Sequence, residues 1–97
     1  MAEYRLLVVD DEPDLRTLYE LTLVREGYAV DTAACVEAGW EMLTEASYDL
    51  LITDLRLPDG TGLDLVRRLE AARRRERVVV ITAYGSVEVA VNALKAG

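Results

Sequence analysis

The chain is predicted to be an α/β domain built as a doubly wound parallel sheet, and three observations predict it. Four short runs rich in Val, Ile and Leu recur, at 5–10, 28–33, 50–54 and 78–82, and each is followed by a stretch of helical periodicity. The first and fourth runs, LLVV and VVVI, lack alternation, as central parallel strands covered on both faces do. Alternating βα units with short connections imply right-handed crossovers; in a sheet of order 2-1-3-4, strands one and three would be neighbours at the switch point.

Each element follows from its local pattern. The first strand is expected over 5–10. A helix over 13–26 follows, with Pro13 near its start, Leu15, Leu18, Tyr19, Thr22 and Leu23 on one face, and Gly27 just past its end. The second strand, 28–33, leads to a helix over 35–46 in which Val36, Trp40 and Leu43 share a face, making Trp40 a core-facing anchor. After the third strand, 50–54, a turn signalled by Pro58, Asp59 and Gly60 precedes a helix over 61–75. Leu65, Val66 and Leu69 line its inner face, and Gly62 would let it lie close to the sheet. The fourth strand, 78–82, feeds a helix over 86–96 with Ser86 as its N-cap and Val87, Ala90, Val91 and Leu94 on one face. The whole, 1–97, reads as one domain without linker or low-complexity tract.

Composition narrows the function. No apolar run approaches the roughly 18 residues of a membrane span, and the first residues lack the pattern of a secretory signal, so a cytoplasmic protein is expected. The single cysteine, Cys35, reads as a small buried hydrophobe. A net charge of −7 opposes contact with nucleic acid. The basic residues Arg73, Arg74, Arg75 and Arg77 read as a solvated helix end placed at the negative pole of the helix dipole.

Ligands of doubly wound sheets bind beyond the carboxyl ends of the strands, where the strand order reverses. Asp10 and Asp11 stand at the end of the first strand and Asp54 at the end of the third, which would be its neighbour. Two carboxylates about 5 Å apart repel by roughly 3 kcal/mol at an effective dielectric near 20, so the pocket calls for a cation or a proton. An all-oxygen donor set favours a hard ion, and Mg²⁺ suits a site of one or two carboxylates completed by water and phosphate oxygens. Asp54 could then attack a phosphoryl group once the repulsion between the two anions is screened. Thr82, at the end of the fourth strand, would bring a hydroxyl to the same rim, followed by the small residues and one aromatic of Ala83-Tyr84-Gly85-Ser86.

The run LLVVDDEPDLR, the strand LLITD with the following LRLPDGTGLDLV, and ITAYGSVEVAVNALKAG together resemble the receiver domain of bacterial two-component response regulators, over essentially the whole chain. The segments TAYGS, ALKAG and LPDGTGLDLV are most similar to the NtrC-like branch, which controls activators of the alternative sigma factor (sigma-54). The resemblance implies a flavodoxin-like fold of order 2-1-3-4-5 and Asp54 as phosphoacceptor. It implies Asp11 as a direct Mg²⁺ ligand, Asp10 supporting the metal, often through water, and the Arg56 backbone carbonyl as a further ligand. Thr82 becomes the switch hydroxyl and Ala83 the small residue beside the phosphoryl pocket. The implied donor is a phosphohistidine on a sensor histidine kinase, and the implied client is an output domain, of transcriptional type, that follows the receiver. The chemistry would be limited to phosphotransfer and autodephosphorylation.

By the same resemblance, a fifth strand bearing a lysine and a fifth helix should follow ALKAG, and the sequence stops at Gly97. Lys95 belongs to the preceding helical pattern and does not replace that lysine. The expectation is a fourth strand exposed as a sheet edge, with self-association through it, and phosphoryl chemistry slowed at Asp54. Two other readings are weighed. A phosphatase-like hydrolase would carry its aspartyl nucleophile on the first strand with a second Asp two residues later, whereas here the pair is contiguous. A pure interaction domain would keep the fold without phosphorylation. No glycine-rich phosphate loop follows any strand.

Overall fold

A computed structural model describes residues 4–81, and in it the alternating pattern resolves into β1 (Arg5–Val9), α1 (Pro13–Arg25), β2 (Ala29–Ala33), α2 (Val36–Glu45), β3 (Leu50–Asp54), β4 (Arg56–Leu57), β5 (Gly60–Thr61), α3 (Gly62–Ala71) and β6 (Arg77–Ile81). The main sheet is parallel throughout and runs β2-β1-β3-β6, the predicted order. Val9 stands opposite both Ala33 and Thr53, and Asp54 opposite Ile81, so the strand ends are level. The expected fourth helix, Thr82, Ala83 and Lys95 lie outside the described residues, as does whatever borders the outer side of β6.

The unbroken apolar runs are explained by the pleat. Successive residues of a strand point to opposite faces, so Leu6 and Val8 meet Tyr19, Leu23 and Ile52 on the α1 side, while Leu7 and Val9 meet Leu43, Leu51, Leu65 and Leu69 on the side of α2 and α3. Each fully buried Leu, Ile or Val contributes about 1.5–3 kcal/mol. Arg68 ties the two helices of that second layer together: its guanidinium lies 5.7 Å from the Trp40 ring centre and donates to Glu37 Oε1 at 2.7 Å.

Several local expectations are corrected. The strands and first two helices differ from the predicted bounds by one residue at some ends. Of the five residues assigned to the inner face of α1, Tyr19 and Leu23 are buried, but Leu15 and Leu18 are 45% and 51% exposed. Leu21 and Val24 are exposed as well, so apolar residues surround this helix and periodicity alone did not select its inward face. Trp40 is half-buried and packs at the margin of the core. Cys35 is the N-cap of α2, its Sγ accepting from the Ala38 amide at 3.5 Å. The antiparallel pair β4-β5 was not anticipated.

The largest correction concerns the arginines. α3 stops at Ala71 rather than at 75, because the chain turns through Arg73, which adopts a left-handed φ of 56°. Arg74 is therefore not part of that helix. Its guanidinium donates to the carbonyls of Leu43 (2.6 Å) and Ala46 (3.1 Å), at the carboxyl end of α2, and pairs with Glu76. The favourable pole it serves belongs to a different helix from the one predicted.

Candidate acidic site at the strand ends

The pocket is built by backbone bonds that hold the strand ends in line. The Asp10 amide donates to the Ala33 carbonyl at 3.1 Å, extending the β1–β2 ladder, and the Leu55 amide donates to the Ile81 carbonyl at 2.7 Å, extending β3–β6. Past Asp54, the chain folds through the β4-β5 hairpin, and the Gly62 amide returns to the Leu55 carbonyl at 2.9 Å. Gly62 makes this close return possible: a Cβ there would stand 2.5 Å from the Asp54 carbonyl oxygen and 2.8 Å from Thr53 Cγ2. The predicted close approach of α3 to the sheet is thus located at the residue that carries Asp54. Thr61 and Asp64 form a reciprocal capping box at the start of α3, the Thr61 amide donating to Asp64 Oδ2 at 2.9 Å.

Asp10, Asp11 and Asp54 converge as expected, each offering a carboxylate oxygen within 4.8 Å of the others. They differ in setting: Asp10 is 1% exposed, Asp54 is half-buried and Asp11 is open to solvent. Asp10 Oδ1 accepts from the Glu12 amide at 2.9 Å, and the Asp10 carbonyl accepts from Arg16 Nη1 at 2.8 Å. Burial pushes the Asp10 carboxyl above its ordinary value; the Glu12 amide opposes this, and the charges of Asp54, Asp11 and Glu12 add to it. Burial likewise raises the Tyr19 phenol, reinforced by Asp10 and Asp54. Chemically, the arrangement is a cluster of three carboxyl groups offering oxygen donors, a set that favours a hard cation.

Glu12 enters through its backbone, as the N-cap residue of α1. Arg56, the candidate carbonyl ligand, is the first residue of β4. Asp59 was read as a turn residue and does more: its two carboxylate oxygens accept from the Val36 and Glu37 amides, at 2.8 and 3.1 Å, at the start of α2. Those bonds, against a small opposing effect of desolvation, hold the Asp59 carboxyl below its ordinary value. A separation of more than 20 residues hides this contact from the sequence.

A parallel α/β sheet of this order, with a carboxylate cluster at its switch point, belongs to the doubly wound domains that bind ligands beyond the carboxyl ends of their strands. The model of the response regulator receiver domain matches residues 6–97, and the chain belongs to that family. Along its full length it is 46% identical to the response regulator protein PilR of Pseudomonas aeruginosa and 34% identical to the DNA-binding transcriptional regulator NtrC of Azospirillum brasilense, so NtrC-type regulators are among its relatives. The chain spans about a fifth of the length of each, 22% and 20%. The response regulator TrrA of Thermotoga maritima, solved in complex with Mg²⁺-BeF, matches 84% of this chain and 71% of its own at 35% identity, with a TM-score of 0.79.

Proposed function

We propose that Asp54 is the phosphoacceptor of this receiver domain, and that Asp10 and Asp11, with the Arg56 backbone carbonyl, hold Mg²⁺ beside it. The observation that carries the proposal is the convergence of three carboxylate oxygens within 4.8 Å at the carboxyl ends of the adjacent strands β1 and β3. The donor set fits the ion, being all oxygen and rich in negative charge, and the buried Asp10 already favours a compensating positive charge. When bound, Mg²⁺ supplies the positive charge that lets an anionic phosphoryl group approach an anionic carboxylate. The similarity to TrrA supports the same assignment.

Asp54 Oδ attacks phosphorus, the bond to the donor histidine nitrogen breaks, and an acyl phosphate forms on Asp54. The Asp54 backbone is held between the Gly62 approach on one side and the Ile81 pairing on the other, which supports a firmly placed acceptor at the end of β3. Thr82 follows Ile81 directly in sequence, and its hydroxyl is assigned to the phosphoryl oxygens as the switch contact, with Ala83 leaving room for the group. The donor is a phosphohistidine of a sensor histidine kinase, and the recipient of the signal is a transcriptional output domain. Turnover is confined to phosphotransfer and autodephosphorylation.

The test is incubation with Mg²⁺ and acetyl phosphate followed by intact mass measurement. A single phosphoryl increment that requires Mg²⁺ and is absent in Asp54→Asn is expected. A folded sample that binds Mg²⁺ but gains no mass would overturn the assignment.

A further inference from the structure

At the end of the sheet opposite the acidic pocket, a cavity of about 840 Å³ opens where the strands begin, with a lining rich in tyrosine and arginine. Tyr4, Tyr28 and Tyr48 furnish its aromatic wall, and Arg73, Arg75 and Arg77 stand around it on the turn that ends α3 and on the first residue of β6. With Arg74, that is three of the chain's five tyrosines and four of its 11 basic residues in one place, in a protein of net charge −7.

The acidic residues of the cavity are already engaged. Glu76 is paired with Arg74, and Asp49 Oδ2 accepts from the Arg5 amide at 2.8 Å. Arg73, Arg75 and Arg77 are exposed and pair with no carboxylate among the described residues. The tyrosines divide in the same way. Tyr48 is fixed as a wall, donating its hydroxyl to Asp31 Oδ2 at 2.7 Å with the Arg5 guanidinium 5.1 Å from its ring centre. Tyr4, 59% exposed, meets Tyr28 edge to face with ring centres 6.3 Å apart, which leaves aromatic surface available to a third ring.

We propose that this cavity binds a small anion carrying a flat ring, of the mononucleotide class, with the ring against Tyr4 and Tyr28 and the phosphate oxygens held by Arg73, Arg75 and Arg77. Guanidinium groups bind phosphate through paired hydrogen bonds, and aromatic rings bind a nucleobase face whatever its sequence identity. The volume lies within the roughly 300–1,000 Å³ of small-ligand sites. A polynucleotide is disfavoured, since its further phosphates would meet the net negative charge of the remaining surface. The site would use side chains at the amino ends of the strands, and so needs none of the glycine-rich loops whose absence the sequence displays.

The experiment is a titration of the ¹⁵N-labelled full chain with AMP and GMP in EDTA, which keeps divalent metal out of the opposite pocket, alongside adenosine and inorganic phosphate. Saturable shifts are expected at Tyr28, Asp49 and Arg73–Arg77 and not at Asp10, Asp11 or Asp54, with a Kd below about 1 mM and weaker binding of either half-ligand. The exposed double variant Arg75→Ala/Arg77→Ala, its folding checked by circular dichroism, should weaken AMP by about tenfold or more. Tyr28→Leu should reduce AMP to the affinity of phosphate. Equal responses to AMP and inorganic phosphate, an unchanged affinity in the arginine variant, or shifts scattered over the surface would overturn the proposal.

Discussion

Replacing Gly62 by alanine tests whether the placement of Asp54 depends on the close return of α3. The added Cβ would stand 2.5 Å from the Asp54 carbonyl oxygen, a backbone atom anchored in the sheet, and 2.8 Å from a side-chain methyl of the fully buried Thr53. Neither neighbour is the free end of a flexible chain, so relief requires α3 to lift or the end of β3 to shift. Overpacking of this kind costs about 1–3 kcal/mol, and a backbone obstacle places the cost toward the upper end. Gly62 is the first residue of α3, so alanine returns only about 0.4–1 kcal/mol by restricting the unfolded chain. The net loss is therefore about 2 kcal/mol, which in a domain of this size lowers Tm by roughly 8–16 °C. Thermal unfolding followed by circular dichroism measures the first effect, and the rate of mass gain with acetyl phosphate below the lowered Tm measures the second, which should also fall. A variant with unchanged Tm and an unchanged phosphorylation rate would refute the reasoning, because the contact would then be soft and the position of Asp54 independent of it.

Three further outcomes are expected. Asp10→Asn keeps an acceptor for the Glu12 amide while removing one charge from the cluster; two full charges within 4.8 Å repel by about 3.5 kcal/mol or more at an effective dielectric of 20, so even partial relief raises the Tm of the metal-free chain by several degrees while weakening Mg²⁺ binding. An unchanged Tm in EDTA would count against that electrostatic account. Burial disfavours the charge on Glu76, but Arg74 and the Tyr48 amide outweigh it and hold the carboxyl below its ordinary value. Its stabilisation is thus complete above the ordinary glutamate range and is lost as the pH falls through the depressed value, and Glu76→Gln should flatten the acid limb of a denaturant-derived stability curve below the ordinary glutamate range. Arg74→Met strands that carboxylate, whose side chain is 4% exposed, and should cost about 3 kcal/mol, whereas Arg74→Met/Glu76→Leu should recover much of the loss; equal unfolding midpoints for the single and double variants would argue against a coupled pair.

The sheet and its acidic pocket were legible because both depend on short-range pattern plus a topological rule. Apolar runs at 5–10 and 50–54 gave two strands, and in the order 2-1-3-4 they are neighbours, so Asp10, Asp11 and Asp54 share one end. What escaped notice was settled by tertiary geometry. Two-residue strands such as β4 and β5 are too short to carry a period. The inward face of α1 was ambiguous because leucines surround the helix, and Arg74 and Asp59 act on α2 from 28 and more than 20 residues away, where local propensity has no reach. The arginine cluster shows the same limit: its composition was plain, but the turn at Arg73 decided that it would ring a cavity and not the end of a helix.

The pairing of β1 with β3 has a consequence for thermodynamics. Asp11 and Asp54 lie 43 residues apart in the chain, and what brings them together is the register that sets Val9 beside Thr53. A cluster divided between two strands disperses once the strands separate. Any cation held by all three carboxylates would therefore bind the folded chain alone, and at a hundredfold excess over Kd it would add about 2.7 kcal/mol to the folded state. The acidic cluster and the integrity of the sheet would then share one equilibrium.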